Sequence, residues 1–323
     1  MLWMWIAAGL LLLWAGISYG MTRKMFRNMC CRWQEEPKTE EWYLERLRGT
    51  PIEDRIPQAR AGMDWLRNTP HEEVWMQSRD GLMLYGRLYR NEHWNGKVAL
   101  LFHGYQSCVA HDFHTSVRHY DKLGFHLLVV DQRAHGKSEG KYICFGAKER
   151  LDAVDWCKEM MRRFGEDVPI LLSGLSMGAT TVLMAAGVPE LPANVRGIVA
   201  DCGFVQAYEE FRHVLKIRFH LPAFPMLLLC DRICLHRAGY SIRKHTTLQA
   251  LAQSNLPVLL YHGTADRFVP PDNAVRMKDA LGGRAELILV EGATHGLSWT
   301  VDEDRCAAAL TRFTERIFGT DAK

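Results

Sequence analysis

The chain opens on an apolar run: no side chain from residue 1 to residue 22 is charged, and residues 10–14 form its apolar centre. A helix of about 20 such residues, rising about 1.5 Å each, spans the roughly 30 Å hydrocarbon core of a bilayer. Residues 1–22 are therefore expected to form a single transmembrane anchor. From Gln34 to Pro70 the pattern is charged and broken by Pro37, Pro51, Pro57 and Pro70, with helix-like pieces such as residues 40–44 in between. Residues 23–70 thus read as a partly helical juxtamembrane connector. Two strand-like runs, 73–78 and 82–89, flank Arg79-Asp80-Gly81 and predict a hairpin.

Short apolar runs then alternate with helical stretches. Residues 97–102, 126–130, 169–172, 195–200, 257–261 and 285–290 read as strands, and 111–123, 147–164, 177–186, 272–281 and 302–318 as helices. This alternation predicts an α/β domain over residues 71–320. Its central sheet is mostly parallel and covered by helices on both faces, with the hairpin as an antiparallel edge. An insertion interrupts the pattern between Cys202 and Ser254. Its Phe211, Val214, Leu215 and Phe219 and the apolar run 221–229 predict a small helical cap over about residues 203–254. In such sheets active sites gather beyond the carboxyl ends of the strands.

Charge and cysteine content change the picture in two ways. A net charge of +3 over 323 residues, with no long Lys/Arg block in the soluble part, excludes nucleic acid as a natural partner. The nine cysteines are odd in number, lack zinc-type spacing and fall partly inside apolar runs, which indicates reduced thiols and a reducing compartment. Cys30 and Cys31, just past the anchor, are expected as unmodified thiols. The first charged side chains after the apolar run are Arg23, Lys24, Arg27 and Arg32, all basic. The positive-inside bias then places the remainder of the chain in the cytoplasm as a single-pass protein. A cleaved signal peptide would need a basic region before its apolar stretch, and this run has none.

The strongest chemical signal is Gly174-Leu175-Ser176-Met177-Gly178, between an expected strand and an expected helix. This is the G-x-S-x-G elbow, which holds a serine exposed in a turn too tight for side chains at the positions two residues before and after it. A serine hydroxyl needs a base oriented by a third group. In chain order an acid and then a histidine should follow. Asp266, in the loop after 257–261, and His295, in the loop after 285–290, meet that order. His262 precedes the acid and does not. Asp201 also ends a strand and is the rival acid, its alternative role being a structural carboxylate at the start of the cap. Asp131 lies before the nucleophile and is expected to fix its own turn through Arg133 or backbone amides. The oxyanion hole is expected from the N–H groups of Met177 and of Tyr105 in the His103-Gly104-Tyr105-Gln106-Ser107 loop. The His111-Asp112-Phe113-His114 cluster lacks the spacing of a zinc helix and reads as a capped helix start. Neither a metal nor any other cofactor is expected.

Taken together, His103-Gly104-Tyr105, the loop 131–138, the elbow 174–178, the acid loop 263–270 and His295 resemble the α/β-hydrolase superfamily. In particular they look like its membrane-anchored bacterial serine-aminopeptidase-like or lysophospholipase-like hydrolases. The resemblance covers residues 73–318 and implies acyl transfer to serine and then to water. Serine at the elbow argues against the branches whose nucleophile is a carboxylate. The expected function is therefore an esterase or thioesterase acting on a small-molecule or lipid acyl substrate. Two alternatives stand beside it. One is an aminopeptidase-type serine peptidase, using Glu209 or Glu210 to hold an amino terminus. The other is a non-catalytic, membrane-tethered binding protein.

Overall fold

The computed structural model describes residues 1–32 and 39–319. Eight strands form one sheet: β1 (Glu72–Gln77), β2 (Met83–Tyr89), β3 (Val98–Phe102), β4 (His126–Val130), β5 (Ile170–Leu175), β6 (Val195–Asp201), β7 (Val258–Gly263) and β8 (Ala285–Val290). Their spatial order is β1-β2-β4-β3-β5-β6-β7-β8. β1 pairs antiparallel with β2, and β2 with β4; every other pair is parallel. The hairpin closes where Gly81 takes a positive φ that a side chain would resist. The parallel strands are buried on both faces, as their unbroken Val/Leu/Ile runs require.

Helices, in chain order, are α1 (Leu2–Cys30), α2 (Glu40–Glu45), α3 (Ile56–Asn68), α4 (Val109–Asp112), α5 (Val117–Lys122), α6 (Glu149–Phe164), α7 (Met177–Ala185), α8 (Ala207–Phe219), α9 (Met226–Ala238), α10 (Thr247–Ala252), α11 (Asp272–Leu281), α12 (Ser298–Val301) and α13 (Glu303–Phe318). The sheet splits the core in two. Val98, Leu100 and Phe102 face Trp156, Val182 and Met277 of α6, α7 and α11, whereas Ala99 and Leu101 face Tyr120, Leu310 and Phe313 of α5 and α13.

Four expectations are corrected. The helix expected over residues 1–22 does not end there but continues to Cys30, because Ser18, Thr22, Phe26 and Cys30 recur every fourth position on one buried face while Arg23, Lys24 and Arg27 point outward. Much of the expected connector packs into the α/β body. Pro57 starts α3 rather than breaking it, Ala59, Met63 and Leu66 are buried, and Tyr89 donates its hydroxyl to the Leu66 carbonyl at 2.8 Å. Residues 33–38, with Pro37, lie outside the described residues. The single helix expected over 111–123 is two short ones, since Phe113 leaves helical geometry as Asp112 turns its carboxylate toward the loop after β3. Within the insertion, α8 and α9 form the cap with α1, whereas α10 packs into the core layer against Gly187, beyond α7.

Candidate active site

Ser176 lies between β5 and α7 with φ 54° and ψ −114°, a conformation that a non-glycine residue adopts only when its surroundings enforce it. Both flanking glycines are sterically required. A Cβ on Gly174 would fall 2.3 Å from the Gly178 backbone, and one on Gly178 would fall 1.9 Å from the Phe102 carbonyl oxygen. The turn is pinned from below by the Ser176 N–H, which donates to the Asp201 carbonyl at 2.8 Å. Its hydroxyl therefore projects beyond the carboxyl edge of the sheet, in front of the positive end of α7.

The loops after β7 and β8 bring the other expected residues to it. His295 Nε2 is 2.9 Å from Ser176 Oγ, and His295 Nδ1 is 2.7 Å from Asp266 Oδ2. Asp266 Oδ1 accepts the N–H groups of Phe268 and Val269, each at 2.9 Å. Burial pushes the Asp266 carboxyl up, but the neighbouring His262 and His295 rings and the Val269 amide outweigh it and hold the group well below the usual carboxylate range. His262 stands 3.5 Å from Asp266 Oδ2 and also meets the Val269 carbonyl, so it buttresses the same oxygen that faces His295. Asp201 is buried and bonded by Ser298 Oγ at 2.9 Å, with its second oxygen unpartnered among the described residues. It is within hydrogen-bond reach of neither His295 nor the cap. Burial raises its pKa to about 6.

The loop after β3 carries a feature that motif reading missed. Asp112 accepts the Gly104 N–H at 2.5 Å and the Ser107 hydroxyl at 2.7 Å. His135 Nε2 accepts the Gln106 N–H at 3.1 Å. Both neighbours of Tyr105 are thus tied back, while the N–H groups of Tyr105 and Met177 have no acceptor among the described residues. His103 completes the clamp: one ring nitrogen meets the Gly104 carbonyl at 2.7 Å and the other accepts the Gln132 N–H at 3.1 Å. Burial lowers His103 to about 4 and His135 to about 3, which keeps both rings neutral and able to accept. A Cβ on Gly104 would lie 3.3 Å from Ser176 Cβ, so this loop passes directly over the serine. Asp112 is therefore not a helix cap. A signal was present in its separation of eight residues from Gly104, but only the fold shows that the two meet.

Asp131 accepts the Lys137 N–H at 2.9 Å, as one expected arrangement had it. Arg133 instead turns away to Asp152 and Asp80. Two sets of described side chains lie close enough to share an ion: Cys30 with Cys230 and Cys234, and Cys202 with Asp266 and His295. In the second set the Asp266–His295 hydrogen bond already engages the facing atoms.

A mostly parallel sheet of this order, with a strained serine elbow at its carboxyl edge, defines an α/β hydrolase. The chain belongs to the Alpha/beta hydrolase family, which residues 99–309 match. It is 27% identical over 195 residues to the uncharacterized protein YqkD of Bacillus subtilis (strain 168), a match covering 60% of this chain and 64% of that protein. The alignment thus spans somewhat less than two thirds of that relative's length. Among solved structures, the Pyrococcus furiosus esterase Pf2001 is similar at TM-score 0.64 and 22% identity, covering 78% of this chain and 92% of that one. Thermogutta terrifontis esterase 2, phosphoramylated by tabun, is similar at TM-score 0.57 and 16% identity, covering 79% and 98%. At these identities the likeness establishes the fold.

Proposed function

We propose that the chain is a serine esterase or thioesterase with a hydrophobic acyl substrate, held by α1 as a single-pass anchor with its catalytic domain on the cytoplasmic side. The observation that carries this reading is the unbroken hydrogen-bond chain from Ser176 Oγ through His295 to Asp266. His295 Nε2 takes the Ser176 proton as Oγ attacks the acyl carbonyl carbon, and Asp266 holds the Nδ1–H tautomer and stabilises the imidazolium. The N–H groups of Tyr105 and Met177 receive the oxyanion. Collapse breaks the bond to the leaving alcohol or thiol, which takes its proton from His295. Water then attacks the acyl-enzyme by the same route and returns Ser176. Similar structures described as esterases support the bond type. The orientation rests on the basic flank Arg23, Lys24, Arg27 and Arg32.

The peptidase alternative draws less support. Glu209 is committed to Arg276 at 2.6 Å. Glu210 is buried, and burial with the nearby Asp266 charge raises it to about 8, so it is neutral at physiological pH and a poor partner for an ammonium group. A silent binding protein would have no use for an ionised Asp266 bonded to His295. The test is labelling with a fluorophosphonate, followed by assays with p-nitrophenyl esters and aminoacyl anilides. Ser176→Ala should abolish labelling. Labelling that survives in this variant, or preferential anilide cleavage, would overturn the reading.

A further inference from the structure

The part of α1 that touches no other element ends where the cap begins. Residues 2–17 are all exposed, whereas Ser18, Thr22, Phe26 and Cys30 are buried. An apolar run filling roughly 30 Å of hydrocarbon ends near Thr22, already alongside the cap. Exposed Trp14 and Tyr19 followed by Arg23, Lys24 and Arg27 are the side chains that settle at a headgroup boundary.

α9 runs beside α1 in the same direction. Cys30, the last residue of α1, has its Sγ 3.9 Å from that of Cys234, late in α9. Tyr240, just past α9, donates to the Ile143 carbonyl, and the Ile143 N–H donates to the Cys30 carbonyl. The end of α1 therefore lies beside α9, level with Cys230 and Cys234. The start of α9, with the turn that joins it to α8, points back toward the apolar half of α1.

That tip of the cap is apolar and uncovered: Ile217 is 42% exposed, Phe219 52%, Phe224 68% and Leu228 40%. Arg212, Lys216 and Arg218 share its segment of α8, no Asp or Glu occurs from residue 211 to residue 230 or in α1, and Glu209, beside Arg212 and Lys216, is paired with Arg276. Clustered exposed aromatic and aliphatic side chains beside an excess of basic ones match an anionic membrane surface. The active-site loop adjoins the same face. Tyr105 Oη and Gln106 Nε2 each donate to the Asn28 carbonyl of α1 at 3.2 Å, and Phe145 joins the Tyr105 ring to Phe211 of α8. Asn28 follows Thr22 by roughly 9 Å of helix.

We infer that the cap tip at Ile217, Phe219, Phe224 and Leu228 is a lip seated in an anionic phospholipid bilayer beside α1, and that Ser176 takes its acyl substrate from lipid resident in that bilayer. The lipid-substrate half of this inference rests on the esterase reading; the seating of the lip does not.

The test uses the full chain in phosphatidylcholine nanodiscs, with and without phosphatidylglycerol. In a Cys31→Ser, Cys108→Ser background, a nitrobenzoxadiazole probe is placed at Phe224→Cys, and a control probe at Glu166→Cys, before β5 and at the far edge of the sheet from Ser176. Doxyl-labelled lipid should quench the first probe and spare the second, and quench more strongly with phosphatidylglycerol present. Equal quenching at both positions overturns the lip, and indifference to phosphatidylglycerol overturns its anionic preference. The double variant Phe219→Ser, Phe224→Ser should then hydrolyse a long-chain lysophospholipid in the nanodisc about tenfold more slowly. Its p-nitrophenyl acetate hydrolysis should be unchanged. Equal losses on both substrates, or on neither, overturn delivery from the bilayer. Wild-type protein that fails to label with fluorophosphonate would sink the esterase reading and leave the quenching result to judge the lip alone.

Discussion

Asp112 accepts the Gly104 N–H on one carboxylate oxygen and the Ser107 hydroxyl on the other, and so fixes both sides of Tyr105 from a residue that makes no hydrogen bond to Ser176 Oγ. Removing this hold should loosen the proposed Tyr105 donor without disturbing the Ser176–His295 hydrogen bond. Asp112→Ala is expected to lower kcat about 10- to 100-fold with little change in KM, less than complete loss of an oxyanion donor would cost. Asp112→Asn, which keeps one acceptor oxygen, should recover part of the loss. Steady-state kinetics on a p-nitrophenyl ester checks both variants; a pure KM effect would place Asp112 in substrate binding instead.

The two candidate acids differ in what they touch, and mutation should separate them. Asp266 is 2.7 Å from His295 Nδ1, whereas Asp201 bonds Ser298. Asp266→Asn would favour the wrong imidazole tautomer and is expected to lower kcat by about 10³- to 10⁴-fold. Asp201→Asn keeps an acceptor for Ser298 and removes a buried charge, so kcat should fall by less than about tenfold. A larger loss in Asp201→Asn than in Asp266→Asn would reverse the assignment.

Local grammar explains why these positions could be read in advance. A glycine-flanked serine between strand and helix, and an acid and a histidine after later strands, are short-range patterns that the parallel order of β5, β7 and β8 turns into proximity. The strand ends were read short: β5 continues through Leu175 and β7 through Gly263, since small and polar residues break the apolar run but not the ladder. The sequence marks Asp112 only as part of a capped helix start and His135 only as part of its loop, because their value depends on which loop the fold lays beside them. The docking of α1 was hidden for a related reason. Thr22, Phe26 and Cys30 form a stripe only in three dimensions, and in linear sequence they are interleaved with Arg23, Lys24 and Arg27.

Glu210 gives the stability a pH dependence of known sign. Its carboxyl titrates at about 8 in the folded protein against an ordinary 4.5, raised by burial and by Asp266. Across that window the folded chain keeps a proton that the unfolded chain has released. This group's contribution therefore falls as pH rises from about 4.5 to 8, and is at its most favourable below that range. Glu210→Gln should flatten the decline of Tm between about pH 5 and 8 and raise Tm at the alkaline end. Differential scanning calorimetry in one detergent across that range decides the matter; parallel curves for variant and wild type would show that Glu210 is not the titrating group.

The two halves of α1 should respond differently to deletion. Residues 2–17 bury nothing, so removing them is expected to change unfolding free energy by less than about 1 kcal/mol in detergent. Removing residues 2–32 is a different perturbation. It strips Thr22, Phe26 and Cys30 from α9, leaves Cys230 and Cys234 facing solvent, and takes away the Asn28 carbonyl that Tyr105 and Gln106 bond. It also deletes Arg32, whose guanidinium donates to the Ser138 and Gly136 carbonyls at 2.5 Å each. Burial of Phe26 and its neighbours together with those hydrogen bonds implies a loss of about 3–6 kcal/mol. Urea denaturation of the two truncated proteins measures the difference. Equal stability would mean that α1 is a tether joined to a self-sufficient domain, whereas the predicted gap would make its last three turns part of the cap and of the wall behind Ser176.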